Sequence, residues 1–239
     1  MTVGLADRRL YLCTPDRPDL EAFVAACVRG GVDVVQLREK HLDARPLLRR
    51  AAALRRACHD LGVPMVLNDR PDLALEAGAD GVHVGQDDAP PSLARRILGP
   101  GAVVGLSTHG PDDLAAAGGE PVDYLSAGPV VPTPTKPGRP GTGAAYAALA
   151  TSRAAVPVFV TGGVSVGTVQ GLVDAGVRRF VVVRALTEAA EPEQAARALR
   201  RAIDQALARR DEAAPTAAAQ DDAAPGAGTG AHGGEKMAQ

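Results

Sequence analysis

The chain has 239 residues, 46% of them hydrophobic and 23% charged. At about 150 residues per domain this allows one to two domains, and a single (β/α)8 barrel of about 250 residues fits equally well. The net charge of −2 excludes a broadly basic nucleic-acid binder, and no apolar run approaches the ~18 residues of a membrane helix.

The opening MTVGLADRRLYLC lacks the apolar centre of a signal peptide, so a cytoplasmic location is expected. Aromatics are only 3%, with no Trp, which predicts a core of Ala, Val and Leu. Cys13, Cys27 and Cys58 are odd in number and lack metal-ligand spacing, so they read as reduced thiols.

From there the chain alternates apolar runs with helical stretches. Runs at 10–14, 32–38, 64–68, 81–85, 103–107, 124–128, 157–161 and 180–183 are continuous rather than alternating, as in parallel strands buried on both faces. In the first helical stretch Leu20, Phe23, Val24, Cys27 and Val28 share one face, and the helix stops at Gly30-Gly31. That joint recurs as Gly31-Val32-Asp33, Gly78-Ala79-Asp80 and Gly176-Val177-Arg178. A last helix over 192–209 carries Ala195, Leu199, Ile203 and Leu207 on its apolar face. The first βα turn, Cys13-Thr14-Pro15-Asp16, has no G-x-G-x-x-G, which argues against a dinucleotide-binding open sheet and for a closed (β/α)8 TIM barrel.

Barrel enzymes place their chemistry at the C-terminal ends of the strands. The second strand ends in Gln36-Leu37-Arg38-Glu39-Lys40, and alternation turns Gln36, Arg38 and Lys40 the same way, as a multiply charged anion would need. The third ends in Asn68-Asp69-Arg70 and the fourth in Gly85-Gln86-Asp87-Asp88. Two strands delivering carboxylates to one rim suit Mg²⁺ shared with phosphate oxygens, while the competing role for each Asp is to cap the next helix. His83, mid-strand, reads as an interior histidine. Ser107 and His109 follow the fifth strand without a local Asp, so a hydrolase triad is disfavoured and Ser107 suits phosphate contact. After the sixth strand a proline-stiffened loop presents Thr133, Pro134, Thr135 and Lys136. Thr161-Gly162-Gly163-Val164 after the seventh, with Val183-Arg184-Ala185 after the eighth, occupies the usual phosphate position of such barrels. Two anionic groups at one mouth point to a transferase joining two phosphorylated substrates.

The segment 211–239 has no Leu, Ile, Val or aromatic residue, and it is expected to be a disordered tail after a barrel domain spanning 1–210. It holds five acids and one Lys, net −4, so the preceding body is +2.

QLREK (36–40), NDR (68–70), GVHVGQDD (81–88), GLSTH (105–109), GPVVPTPTK (128–136) and TGGV (161–164) together resemble the motifs of the thiamine-phosphate synthase family, in order. The resemblance covers about residues 8–205. It implies a (β/α)8 barrel that couples 4-amino-5-hydroxymethyl-2-methylpyrimidine diphosphate to a thiazole phosphate, giving thiamine phosphate and pyrophosphate. It implies further that Gln36, Arg38, Glu39, Lys40, Asn68, Ser107 and Lys136 hold the pyrimidine diphosphate, with charge stabilisation by Arg38, Lys40 and Lys136 and no covalent nucleophile. Asp69 and Asp88 would bind Mg²⁺, and Thr133, Pro134, Thr135, Gly163, Val183 and Arg184 would meet the thiazole phosphate. The departure is Val183-Arg184, where the family often has a small Ser. The alternatives are a thiazole tautomerase-like isomerase using His109 and a non-catalytic regulator on the same barrel. The expected partners are small phosphorylated molecules, with neither nucleic acid nor membrane, and assembly into a homo-oligomer is left open.

Overall fold

Each of the eight apolar runs forms a strand. In the computed structural model, which describes residues 4–133 and 140–213, the strands are β1 (Leu10–Thr14), β2 (Val34–Leu37), β3 (Met65–Asn68), β4 (Gly81–Val84), β5 (Val103–Thr108), β6 (Tyr124–Ala127), β7 (Val158–Thr161) and β8 (Phe180–Val182). They pair in parallel in sequence order and close, β8 on β1, into a barrel. Between them run α1 (Leu20–Arg29), α2 (Ala44–Asp60), α3 (Pro71–Ala77), α4 (Pro91–Leu98), α5 (Pro111–Ala117), α6 (Gly143–Arg153) and α7 (Val166–Asp174). After β8 come α8 (Arg184–Thr187) and α9 (Pro192–Ala213). No helix among the described residues is long and apolar enough to cross a membrane.

Closure makes every strand two-sided. Leu10, Leu12, Val35, Leu37, Val82, Val104 and Val160 pack outward against the helices. Tyr11, Cys13, Val34, Val66, Val103, Tyr124, Phe159 and Val181 pack inward against one another and Leu5. The helix-stop glycines take positive φ as the joints require, at Gly31 (112°), Gly78 (66°) and Gly176 (105°). Asp33 accepts the N–H groups of Arg9 and Leu10, Asp80 that of Met65, and Asp123 that of Val104, each acid tying one strand to the start of its neighbour. Their counter-ions are Arg200, Arg55 and Arg95, at 3.2, 3.1 and 2.6 Å.

Three expectations are corrected. The core is not only aliphatic: all six aromatic residues of the chain are buried. Tyr11, Tyr124 and Phe159 fill the barrel itself, with ring centroids 5.4–5.9 Å apart. The interior of a closed eight-stranded sheet is wide enough to need its largest side chains there. Glycine makes room for them, since a Cβ on Gly105 would lie 2.1 Å from the Tyr124 ring. Second, the short α8 precedes the long last helix and was not signalled by any apolar periodicity. Third, α9 runs to Ala213, past the expected helix end at 209, and Asp211 in its last turn lies 2.7 Å from Arg178. Residues 214–239 of the expected tail lie outside the described residues.

Candidate active site at the barrel mouth

The upper interior of the barrel is polar where the lower is apolar. Gln36, Asn68, His83, Ser107 and Ser126 are all at least nine-tenths buried, yet they line a cavity of about 60 Å³ together with Cys13, Arg38, Tyr11 and Tyr124. A hydrogen-bonded chain crosses it. The Cys13 thiol donates to Gln36 Oε1 at 3.2 Å, and Gln36 Nε2 donates to Tyr11 Oη at 2.9 Å. Tyr11 and Tyr124 share a hydroxyl contact of 2.9 Å. His83 bonds Tyr124 Oη through Nδ1 and Ser107 Oγ through Nε2, both at 2.9 Å. Burial holds both phenols well above the ordinary tyrosine range, so they stay neutral hydrogen-bonding groups. Asn68 Nδ2 is buried with no partner, a donor aimed where a ligand would satisfy it.

A second cavity of about 220 Å³ adjoins the first and shares Thr161, Val181 and Val183 with it. Its wall is Gly162 to Ser165 after β7, Val183 to Ala185 at the start of α8, Pro129 and Thr133. Gly163 has φ 78°, which side-chain-bearing residues rarely adopt, and a Cβ there would come within 2.5 Å of the Val131 side chain. Arg184 stands at the cavity edge beside the backbone of α8.

Above the first cavity, Asp69 and Asp88 meet. Neither caps a helix: the residue preceding α3 is Arg70 and that preceding α4 is Pro90, and neither helix has a side-chain cap. The competing capping role is therefore removed. Asp88 instead accepts the Gly85 N–H at 2.8 Å, and Lys40 Nζ lies 2.8 Å from Asp69. Burial, then contact with Asp88, raises the Asp69 carboxyl above the usual range, against the opposing pull of Lys40. Asp69 also has φ 63°, the left-handed region that non-glycine residues rarely adopt, and its N–H is held by His83 O at 2.8 Å. No group of three or more His, Cys, Asp or Glu residues clusters as a metal site among the described residues. Two carboxylates brought together at the rim do fit a hard divalent cation.

The structure thus brings Gln36, Arg38, Asn68 and Ser107 to one cavity, Thr133, Gly163, Val183 and Arg184 to the adjoining one, and Lys40, Asp69 and Asp88 to the rim. Glu39 faces elsewhere, accepting the N–H groups of Asp16 at 3.4 Å and His41 at 2.7 Å. Pro134, Thr135 and Lys136 lie outside the described residues. His109 Nδ1 is bound to Gly128 O at 2.5 Å, and the His109 backbone N–H donates to Asp113 at 2.8 Å. Sequence reasoning passed over Tyr11, Cys13, Tyr124 and Ser126. The signal was the period-two alternation of LYLCT and of YLSA, which sets Tyr11 with Cys13, and Tyr124 with Ser126, on the barrel's inner side.

Comparison with known proteins is consistent across the chain. A thiamine-phosphate synthase of Thermus thermophilus is 49% identical over 198 residues, covering 80% of this chain and 95% of that one. That of Acidothermus cellulolyticus is 46% identical over 203 residues, covering 82% and 95%. The solved thiamine phosphate pyrophosphorylase of Pyrococcus furiosus superposes with a TM-score of 0.76 at 27% identity, covering 83% of this chain and 96% of that one. The family described as thiamine monophosphate synthase matches residues 10–186. The chain is an enzyme of the thiamine monophosphate synthase family.

Proposed function

We propose that the protein condenses the aminopyrimidine diphosphate with a thiazole phosphate, yielding thiamine phosphate and pyrophosphate. The observation that carries this reading is the pair of adjoining cavities with a shared wall of Thr161, Val181 and Val183. One is lined by buried hydrogen-bonding side chains suited to a flat heterocycle, the other by glycine backbone and Arg184 suited to a phosphate. Two substrates seated there meet at the shared wall, with the rim carboxylates and cations above the first.

In this reading Gln36, Asn68 and Ser107 orient the pyrimidine ring, while Arg38 and Lys40, with Lys136, face the diphosphate. Asp69 and Asp88 would hold Mg²⁺, which when bound neutralises charge on the departing pyrophosphate. The methylene C–O bond breaks and the bonding pair leaves with pyrophosphate, while the aminopyrimidine ring shares the positive charge left behind. The lone pair of the thiazole nitrogen then forms the new C–N bond. No protein nucleophile is required, and the protein's contribution is positioning and charge stabilisation. The Tyr11–Tyr124–His83 chain fixes Gln36 and Ser107 before substrate arrives, so little reorganisation is left for the reaction.

Incubation with both substrates and Mg²⁺, with pyrophosphate and thiamine phosphate measured together, tests the reading. Equal amounts of the two products are expected, dependent on both substrates. No pyrophosphate under any condition overturns it.

A further inference from the structure

At the opposite end of the barrel two arginine pairs, Arg8-Arg9 and Arg178-Arg179, are brought side by side by closure of β8 on β1. Leu10 is in register with Phe180, and the Phe180 N–H donates to Arg9 O at 2.9 Å. Tyr11 and Val181 pack inside the barrel, so alternation sets Arg9 and Arg179 on the inward side too, below them and near Leu5. Arg9 Nη1 and Arg179 Nε are both buried without a hydrogen-bond partner. The other arm of Arg179 donates to Ala6 O at 2.6 Å. The acids in electrostatic reach are Asp7, near Arg179; Asp211, which Arg9 also feels and which Arg178 engages at 2.7 Å; and Asp33, which Arg8 feels and which Arg200 engages at 3.2 Å.

This arrangement reverses the charge of the joints elsewhere at the base. In Gly31-Val32-Asp33 and Gly78-Ala79-Asp80 the third residue is an acid that binds neighbouring backbone N–H groups, whereas in Gly176-Val177-Arg178 it is a cation. Like charges directly across a strand pair repel, and a guanidinium nitrogen left without an acceptor destabilises the fold. Both are relieved by one kind of guest. Planar guanidinium groups present fixed N–H forks that match the oxygens of a tetrahedral anion.

We propose that the base of the barrel is a binding site for a small phosphate-type oxyanion, with Arg9 and Arg179 as its principal donors and Arg178 flanking. It lies at the far end of the strands from the active-site mouth, so its occupant binds independently of substrate. Burial first, then repulsion from Arg9 and Arg178, pushes the Arg179 guanidinium down, which agrees with a cation waiting for its counter-ion.

The probe is inorganic phosphate added to the full chain, read by the guanidinium Nε–H resonance of Arg179 in ¹H–¹⁵N spectra. That resonance is assigned by its disappearance in Arg179→Lys. The expected result is a saturable shift with phosphate, absent with chloride at matched ionic strength. In Arg9→Gln the same shift requires about tenfold more phosphate, the size expected for one charge-assisted hydrogen bond. An unmoved resonance, an equal response to chloride, or a midpoint unchanged by Arg9→Gln overturns the proposal. The wild-type titration decides the matter even if a variant folds poorly.

Discussion

The same eight strands carry two chemically opposite layers inside one barrel. The lower layer, Tyr11, Val34, Val66, Val103, Phe159 and Val181, is aromatic and aliphatic and packs as a core. Further along the strands, Cys13, Gln36, Asn68, His83, Ser107 and Ser126 form a polar layer that is just as buried but lines a cavity. Tyr11 and Tyr124 belong to both, with rings in the lower layer and hydroxyls in the hydrogen-bonded chain above. The difference shows how a barrel separates its tasks. Burial alone does not mark a core residue; a buried polar side chain can face a cavity, with its own hydrogen-bond partners as support.

The sharpest way to break this division is at the rim. Asp69→Asn removes one carboxylate charge but keeps a residue type that tolerates the left-handed backbone of Asp69. Steady-state assays should show turnover falling by about 10²–10³, the loss typical of removing one element of transition-state charge stabilisation. The far-UV circular dichroism of the folded barrel should be retained. Undiminished turnover contradicts the role given to the carboxylate pair.

The next test sets the layers against each other in stability. Phe159→Ala empties the lower layer and should cost about 3–5 kcal/mol. Ser107→Ala removes one hydrogen bond to His83 Nε2 and should cost about 1 kcal/mol. Urea titration measures both. The first substitution should leave the KM values nearly unchanged at temperatures where the fold persists, whereas the second should raise the KM for the pyrimidine diphosphate.

The smallest effect concerns the thiols. Burial pushes Cys27 and Cys58 up to about 12, and both are enclosed by the helix layer. At pH 8 each is therefore protonated and shielded, so a disulfide reagent should modify them only after denaturant is added. Their rapid reaction in the native protein contradicts the packing described.

How much of this was legible in the sequence follows from which interactions are local. The strands, the helix-stopping glycines and the positions of Gln36, Arg38 and Lys40 could be read from runs and alternation within one element. Asp69 and Asp88 were ambiguous because a capping role and a rim role have the same local pattern; the structure shows that neither caps a helix and that the two meet beyond adjacent strands. The chain from Gln36 through Tyr11 and Tyr124 to His83 links β2, β1, β6 and β4, and only barrel closure makes those neighbours. The aromatic filling was hidden for a related reason. Six aromatic residues look sparse in composition, but three of them share one small interior. The base arginines lie at opposite ends of the barrel sequence and meet only through the β1–β8 pairing.

The central claim is that two adjoining cavities take one substrate each, and separate KM values in two variants test it most directly. Gly163→Ala puts a methyl, pressed against Val131, on a wall residue of the outer cavity, and Asn68→Ala removes a buried donor from the inner one. The account predicts that Gly163→Ala raises KM for the thiazole phosphate about tenfold or more while that for the pyrimidine diphosphate holds, with the reverse for Asn68→Ala. Equal changes in both KM values in both variants would contradict it.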